Sequence, residues 1–504
     1  MLLNELSHEL AVILDKISSI ASSCGLYQIE GKCELVRKEL DEPLKVAIVG
    51  ITSSGKSTLL NALVRRQLVP TGAETVSYNV NILRHKSKSP TKKELVIAHL
   101  KNNKGCVTLP ITTLNHLVDG RDDSYKDLRK RVSWVEAFVD FDYLRDIDLI
   151  DTPGLLSTKE EDSANTIELF KDEMRRPDVI VYLMQRAIEK EDIAAANSFQ
   201  RVMSNGNTSI INGLNTIAAL THCDYYCKNN YSLNFHDLGN AIIENNRANY
   251  ADFRLCFSKT FTIAAIYAQS AYCLTDDDFA IIKAISDSVV LNEFIDLYTK
   301  NDFINDQEHF ERFIKDKDER EQFLSRVDIE VVKYSAWWLR RNNNSSIKAL
   351  KEHLISYSGV QEMDRYIFSN FKRLAMFFKT MKLISGIRKS TEALSTSYSF
   401  DCQREGINTV SILCKDFEVK LHRSFSYLSV LMDYYSKKTY FTEEEWNEAV
   451  KTIELCLSDS YSQSLLISQL QYWDNKRKTY SLLADVVAEG SCIKLINQVK
   501  QLLI

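Results

Sequence analysis

A chain of 504 residues is longer than one ordinary core can organise, so two or three domains are expected. Its 45% apolar and 26% charged content is that of a soluble globular protein, and a net charge of −5 excludes a general electrostatic pull toward nucleic acid. With only 15 Gly and 6 Pro there are few helix breakers, which predicts long helices.

Eleven cysteines are scattered without a disulfide-like pattern. With no secretory leader (Glu5, Glu9 and Asp15 crowd the start), a cytoplasmic location is expected, peripheral at a membrane at most. No apolar run reaches the ~18 residues of a membrane-spanning helix.

In chain order, the first predicted helix places Leu3, Leu6, Leu10, Ile13, Ile17 and Ile20 on a heptad seam. "KVAIVG" (45–50) then reads as a buried parallel strand ending in glycine. Gly50-Ile-Thr-Ser-Ser-Gly-Lys-Ser57 follows and fits the phosphate-loop pattern, with a helix after it. Gly50 and Gly55 let the backbone of Ser53 and Ser54 curl its N–H groups inward, and the helix start at Ser57 and Thr58 adds positive potential. Lys56 is expected to neutralise the β- and γ-phosphates, and Ser57 to offer its hydroxyl to Mg²⁺.

Next, "ELVIAHL" (94–100) and "VSWVEAFVD" (132–140) alternate apolar and polar residues as strands do. "IDLIDTPG" (147–154) is a buried strand ending in Asp-x-x-Gly; Asp151 is expected to hold Mg²⁺ through a water, and the Gly154 N–H to meet the γ-phosphate. "DVIVYLM" (178–184) is a further buried strand before a helix. "TIAALTHCD" (216–224) ends in Thr221-His-Cys-Asp224, where the Asp224 carboxylate can accept both N1–H and the exocyclic amine of guanine, a donor pair adenine lacks. His222, Cys223 and Cys227 have no second pair at zinc spacing. Strands alternating with helices imply an α/β head with a doubly wound, mostly parallel sheet.

Beyond about residue 276 the pattern turns helical. Residues 276–357 read as a helical elaboration of the head, and 358–504 as an extended helical bundle or stalk. Ile407, Val410, Cys414, Phe417, Leu421, Leu428 and Leu431 make a second seam. "FKRLAMFFKTMKLISGIRKS" (371–390) is either a membrane-surface helix or one with a solvated basic face. Thr442 and Glu445 make a capping box.

The loop at Gly50–Ser57, Leu68-Val-Pro-Thr-Gly72, Asp151-Thr-Pro-Gly154 and Thr221-x-x-Asp224 together resemble the dynamin superfamily of large GTPases, above all its bacterial dynamin-like members. "YSGVQEMDRYIFSNF" (357–371) resembles the helix that follows the head in those proteins. The resemblance implies GTP and GDP as ligands, Mg²⁺, and hydrolysis stimulated when two heads meet. It also implies a monovalent cation held near Ser53. An N-terminal helix (1–40) would pack with the stalk beside a GTPase head (41–275), and the protein would act in membrane remodelling. Partners so implied are a second copy through the heads, membrane lipid or a second dynamin-like chain, and no nucleic acid.

Three departures stand out. Thr52 occupies the position where dynamins proper carry a catalytic Gln, and His222 the place of the usual base-packing Lys. The switch "GAETVSYNV" (72–80) offers either Thr75 or Ser77 to Mg²⁺ and the γ-phosphate. These departures leave an alternative open, a slow GTP-dependent regulatory protein that recruits a partner in stress, secretion or defence.

Overall fold

The computed structural model describes residues 6–503 except 52, 72–79, 102–104, 120–122, 153–174, 204–212, 229, 343–345, 396–399, 425–429, 431–440 and 458–461. Among the described residues, runs of three to eight residues become nine strands. They are β1 (Leu44–Gly50), β2 (Val80–His85), β3 (Leu95–Leu100), β4 (Cys106–Leu109), β5 (Val132–Val139), β6 (Ile147–Asp151), β7 (Val179–Gln185), β8 (Thr216–Thr221) and β9 (Thr260–Thr262). They form one sheet in the order β4-β3-β5-β2-β6-β1-β7-β8-β9. β1 runs parallel to both β6 and β7, as do the pairs β2–β5, β7–β8 and β8–β9; β2–β6, β3–β4 and β3–β5 are antiparallel. The mostly parallel sheet with a helical bundle is the architecture the sequence predicts.

β1 is buried on both faces, which is why it reads as an unbroken apolar run. Val46 and Ile48 join one core, while Ala47 and Val49 join the other. The first core is shared with helices α1 (Leu6–Ser23), α2 (Tyr27–Leu40) and α3 (Lys56–Leu63), and with the long helices Arg373–Leu394 and Asp401–Ser424. The second is filled by aromatic residues of 235–357, among them Phe235, Tyr267, Phe294, Phe303 and Phe323. The aromatic-rich segment after residue 276 therefore completes the far layer of the sheet.

The seam of α1 is rotated from the heptad expected. Leu6, Leu10, Leu14, Ile17 and Ala21 are buried, and Ile13 and Ile20 lie half-buried at its edge. The helix packs against three neighbours, α2, Arg373–Leu394 and Asp401–Ser424, so its apolar stripe is wider than a coiled-coil seam. In Asp401–Ser424, the expected Ile407, Val410, Cys414, Phe417 and Leu421 are all buried; Leu428 and Leu431 lie outside the described residues.

The basic helix departs from both readings of it. Lys379 and Lys382 are 3% and 2% exposed. Lys382 Nζ lies 2.7 Å from Asp178 Oδ1 and 3.3 Å from Glu39 Oε1. Lys379 Nζ donates to Glu39 O at 3.2 Å and also to Glu42 O, and Lys45 pairs with Glu39. These groups bind α2, β1, the entry to β7 and the helix Arg373–Leu394 into one buried ionic cluster. A lone buried ammonium would be very costly, so the carboxylates are its condition of burial.

The joint before that helix is tight. Gly359 adopts φ +72°, and a methyl group there would meet Thr262 O at 2.5 Å. The Ala264 N–H donates to Ser358 O at 2.9 Å. Residues Ile367–Lys372 wind as a π-helix before Arg373. Further on, the Thr442 N–H donates to Glu445 Oε2 at 2.8 Å, and the Glu445 N–H to Thr442 Oγ1 at 3.3 Å, which is the expected capping box.

Candidate functional site

A cavity of about 680 Å³ opens at the carboxyl ends of β1, β7 and β8. Parallel strands leave such a crevice where their order reverses, here with β6 and β7 on opposite sides of β1. Ser53, Gly55, Lys56, Ser57, Thr58, Thr221 and Asp224 line it together.

The loop after β1 takes its shape from two left-handed residues, Ser53 at φ +63° and Gly55 at φ +89°. Gly55 is the cap residue of α3, so the first amides of that helix face the cavity. Gly50 and Ser54 stand behind this surface. A methyl group at Gly50 would meet Leu183 O and Ser54 Oγ, both at 2.7 Å. Lys56 Nζ turns back onto the loop, donating to Gly50 O at 3.1 Å and Ile51 O at 2.8 Å. Burial lowers its pKa to about 8, against the opposing pull of Asp151.

Asp151 closes β6, paired in register with Ile48 of β1 and Asn81 of β2. It is fully buried, and the next residue anchors it, since Thr152 Oγ1 donates to Ile48 O at 2.9 Å. Asn81 is also fully buried, and among the described residues neither polar atom of its side chain has a partner. The sequence reading passed over Asn81; one amide inside the apolar run "VNILRH" was the available signal.

At the other end of the cavity, Thr221 Oγ1 is within hydrogen-bond reach of Ser54 O (3.0 Å) and Met184 O (2.9 Å). His222 adopts φ +61° and turns its Nε2 toward Gly55, 3.7 Å from where a β-carbon would stand. Asp224 is set deep. Burial raises its carboxyl above the ordinary range, with His222 opposing. Arg186 stacks over the Tyr225 ring at 3.9 Å, and both line the cavity.

Oxygen ligands are what Mg²⁺ takes, and the Ser57 hydroxyl and the Asp151 carboxylate are donors of that chemistry. Thr52, Thr75, Ser77 and Gly154 lie outside the described residues.

Sequence reasoning missed the far wall of this cavity. Lys300, Leu324, Ser325, Arg326, Asp328 and Glu330 line it, and all belong to the helical segment after the head. Their only trace in the sequence was a helix-capping Asp before an apolar run, which is too common to single out.

A curled loop between a buried strand and a helix, at the switch point of a mostly parallel sheet, defines the phosphate-loop class of nucleotide-binding domains. Residues 46–217 match the model of the Dynamin family. In this stretch, about a third of the chain, the head is similar to the dynamin family. It is 29% identical over 145 residues to "Dynamin-like protein 2" of Campylobacter jejuni, a match covering 29% of this chain and 22% of that one. It is 32% identical over 170 residues to "Isoniazid-induced protein IniC" of Mycobacterium tuberculosis, covering 32% of each. The chain thus spans less than a third of the curated relatives it matches. A solved structure described as an oligomerised bacterial dynamin pair for long-range sensing and tethering of membranes aligns over 95% of this chain and 87% of its own. The identity is 14% and the TM-score 0.33.

Proposed function

We propose that this chain is a dynamin-like GTPase that binds GTP with Mg²⁺, hydrolyses it, and couples pairing of its heads to movement of the helical stalk. What carries the reading is the one cavity that joins Lys56 and Ser57 to Asp224, in a head whose residues 46–217 match the model of the Dynamin family.

Lys56, the amides of residues 53–58 and the start of α3 hold the phosphates. Ser57, Asp151 and either Thr75 or Ser77 hold Mg²⁺, with the Gly154 amide on the γ-phosphate. The ion, when bound, supplies charge neutralisation at the phosphates. Asp224 selects guanine, and Ser53 helps hold a monovalent cation. Phosphoryl transfer to water needs positioning and charge neutralisation more than covalent chemistry, and this residue set suits that demand. In this reading residues 41–275 form the head, 276–357 its elaboration and 358–504 the stalk, with residues 1–40 packed on the stalk.

Membrane work is part of the proposal. Among the described residues no helix is long and apolar enough to cross a bilayer, so contact would be peripheral. A slower GTPase that recruits a partner is the second reading, favoured by Thr52 at the position of the usual glutamine.

The deciding measurement is GTP and ATP hydrolysis by the wild type and by Lys56→Ala, over a range of protein concentrations, with and without liposomes. GTP turnover that rises with concentration or on liposomes, and is lost in the variant, is the expected result. Slow turnover indifferent to both points to the second reading. Equal activity of the two proteins overturns the assignment of Lys56.

A further inference from the structure

The base end of the cavity holds a second carboxylate. Asp328 caps the helix Ile329–Arg341, within the helical segment after the head, and lines the same cavity as Asp224. Its Oδ1 accepts the Glu330 N–H at 2.9 Å. Its Oδ2 takes no hydrogen bond among the described residues.

The segment is pinned to the head on either side of the base motif. The Asp328 N–H donates to Ser270 Oγ at 3.3 Å, and Lys228 Nζ lies 3.4 Å from Glu330 Oε1. Behind it, Arg326 grips Asp278 with two bonds, at 3.0 and 2.6 Å. Burial raises both carboxyls, and the charge of Asp328 adds to the rise at Asp224. Gln269 lines the same cavity, is 4% exposed, and among the described residues its Oε1 has no partner.

The cavity is thus lined by two half-buried carboxylates and by a buried amide oxygen that has no partner among the described residues. A buried acceptor left unmade is costly and the carboxylates add acceptor capacity beside it, so these surroundings fit a ligand rich in N–H groups. Guanine has three N–H bonds on one edge: N1–H and two on the exocyclic amine. A carboxylate at Asp224 can take N1–H and one amine hydrogen, and the other amine hydrogen is left over.

We propose that Asp328 is a specificity-determining residue of the nucleotide site, accepting the amine hydrogen that Asp224 leaves. The proposal rests on the guanine reading above. It gives the helical segment a task, because the base then bridges the head and that segment, and nucleotide loss removes the bridge.

The test is calorimetric binding of GDP, IDP, 2′-deoxy-GDP and ADP, with Mg²⁺, to the full chain and to Asp328→Asn, Asp328→Ser and Asp224→Asn. Asn and Ser both keep a helix-capping oxygen, so unchanged thermal unfolding marks them as folded. IDP lacks the exocyclic amine. Both Asp328 variants should bind GDP about tenfold more weakly and IDP as the wild type does. Asp224→Asn should lose both. Equal loss of GDP and IDP at Asp328, or no loss, overturns the proposal. A loss seen with GDP but absent with 2′-deoxy-GDP overturns it too, by moving Asp328 to the ribose. A wild type that prefers ADP to GDP defeats the guanine reading itself, which is a separate failure.

Discussion

Thr221 Oγ1 stands 3.0 Å from Ser54 O, so the strand that carries the base motif is fastened directly to the phosphate loop. One hydroxyl sets the spacing between the two halves of the site. Thr221→Val keeps the shape and leaves the Ser54 carbonyl without its donor, at a cost of about 1–3 kcal/mol. GTP and GDP affinity should fall together, and Thr221→Ser should restore both. An unchanged dissociation constant in the valine variant would show that the link has no part in binding.

Lys56 sets a pH dependence with opposite signs for stability and for binding. Burial holds its pKa at about 8, from an ordinary 10.5. In that window the unfolded chain keeps a proton that the folded one has released. The free protein should therefore gain stability as pH rises from about 8 to 10.5. Phosphates need the ammonium, so nucleotide affinity should weaken as pH climbs above about 8. Lys56→Arg stays charged throughout, so its affinity should fall less than the wild type's over the same range, by the loss of the guanine N1–H alone. A wild-type profile no steeper than the arginine variant's would count against this account.

Removing one member of the buried ionic cluster leaves charge without a partner. Lys382→Ala exposes Asp178 and Glu39 to that penalty, and a loss of about 3–5 kcal/mol is expected in denaturant unfolding. Burial pushes the Asp178 carboxyl up, but Lys382, Lys379 and Lys45 outweigh it, so it ends below its ordinary value. The stability it contributes is present above the unfolded carboxylate range and lost as pH falls below it. The alanine variant should show less of this acid sensitivity. A variant as stable as the parent would mean that the cluster is solvated in solution.

Gly359 holds the joint between the last strand and the helices beyond it. Alanine there would need a left-handed backbone and would meet both Thr262 O (2.5 Å) and His236 Cε1 (2.7 Å). The left-handed conformation alone costs about 1–2 kcal/mol, and the contacts add to it. Hydrogen exchange should speed up first in β9 and in the helix Val360–Tyr366. Uniform protection in Gly359→Ala would show that the joint absorbs the change elsewhere.

Much of the head was legible because its signals are local. β1 and the loop after it announce themselves through an apolar run, two glycines and a lysine at short spacing. The capping box at Thr442 and the buried face of Asp401–Ser424 are local in the same sense. The lysines of 371–390 were not legible. Lys382 finds Asp178 at 204 positions' distance in the chain and Glu39 at 343, and no periodicity encodes a partner so remote. The rotated stripe of α1 has a related cause, since three neighbours widened it and only the assembled bundle supplies them.

By itself, the sequence determined the strand–loop–helix cradle, the succession of buried strands, and the carboxylate at the end of β8. Backbone geometry and side-chain spacing over a few residues suffice for these. Only the tertiary structure decided that a helix after the head brings Asp328 to the cavity of Asp224, and that a basic helix closes onto buried carboxylates. A charge or an unpaired acceptor has a partner only once the chain has folded back on itself, so long-range packing makes that choice.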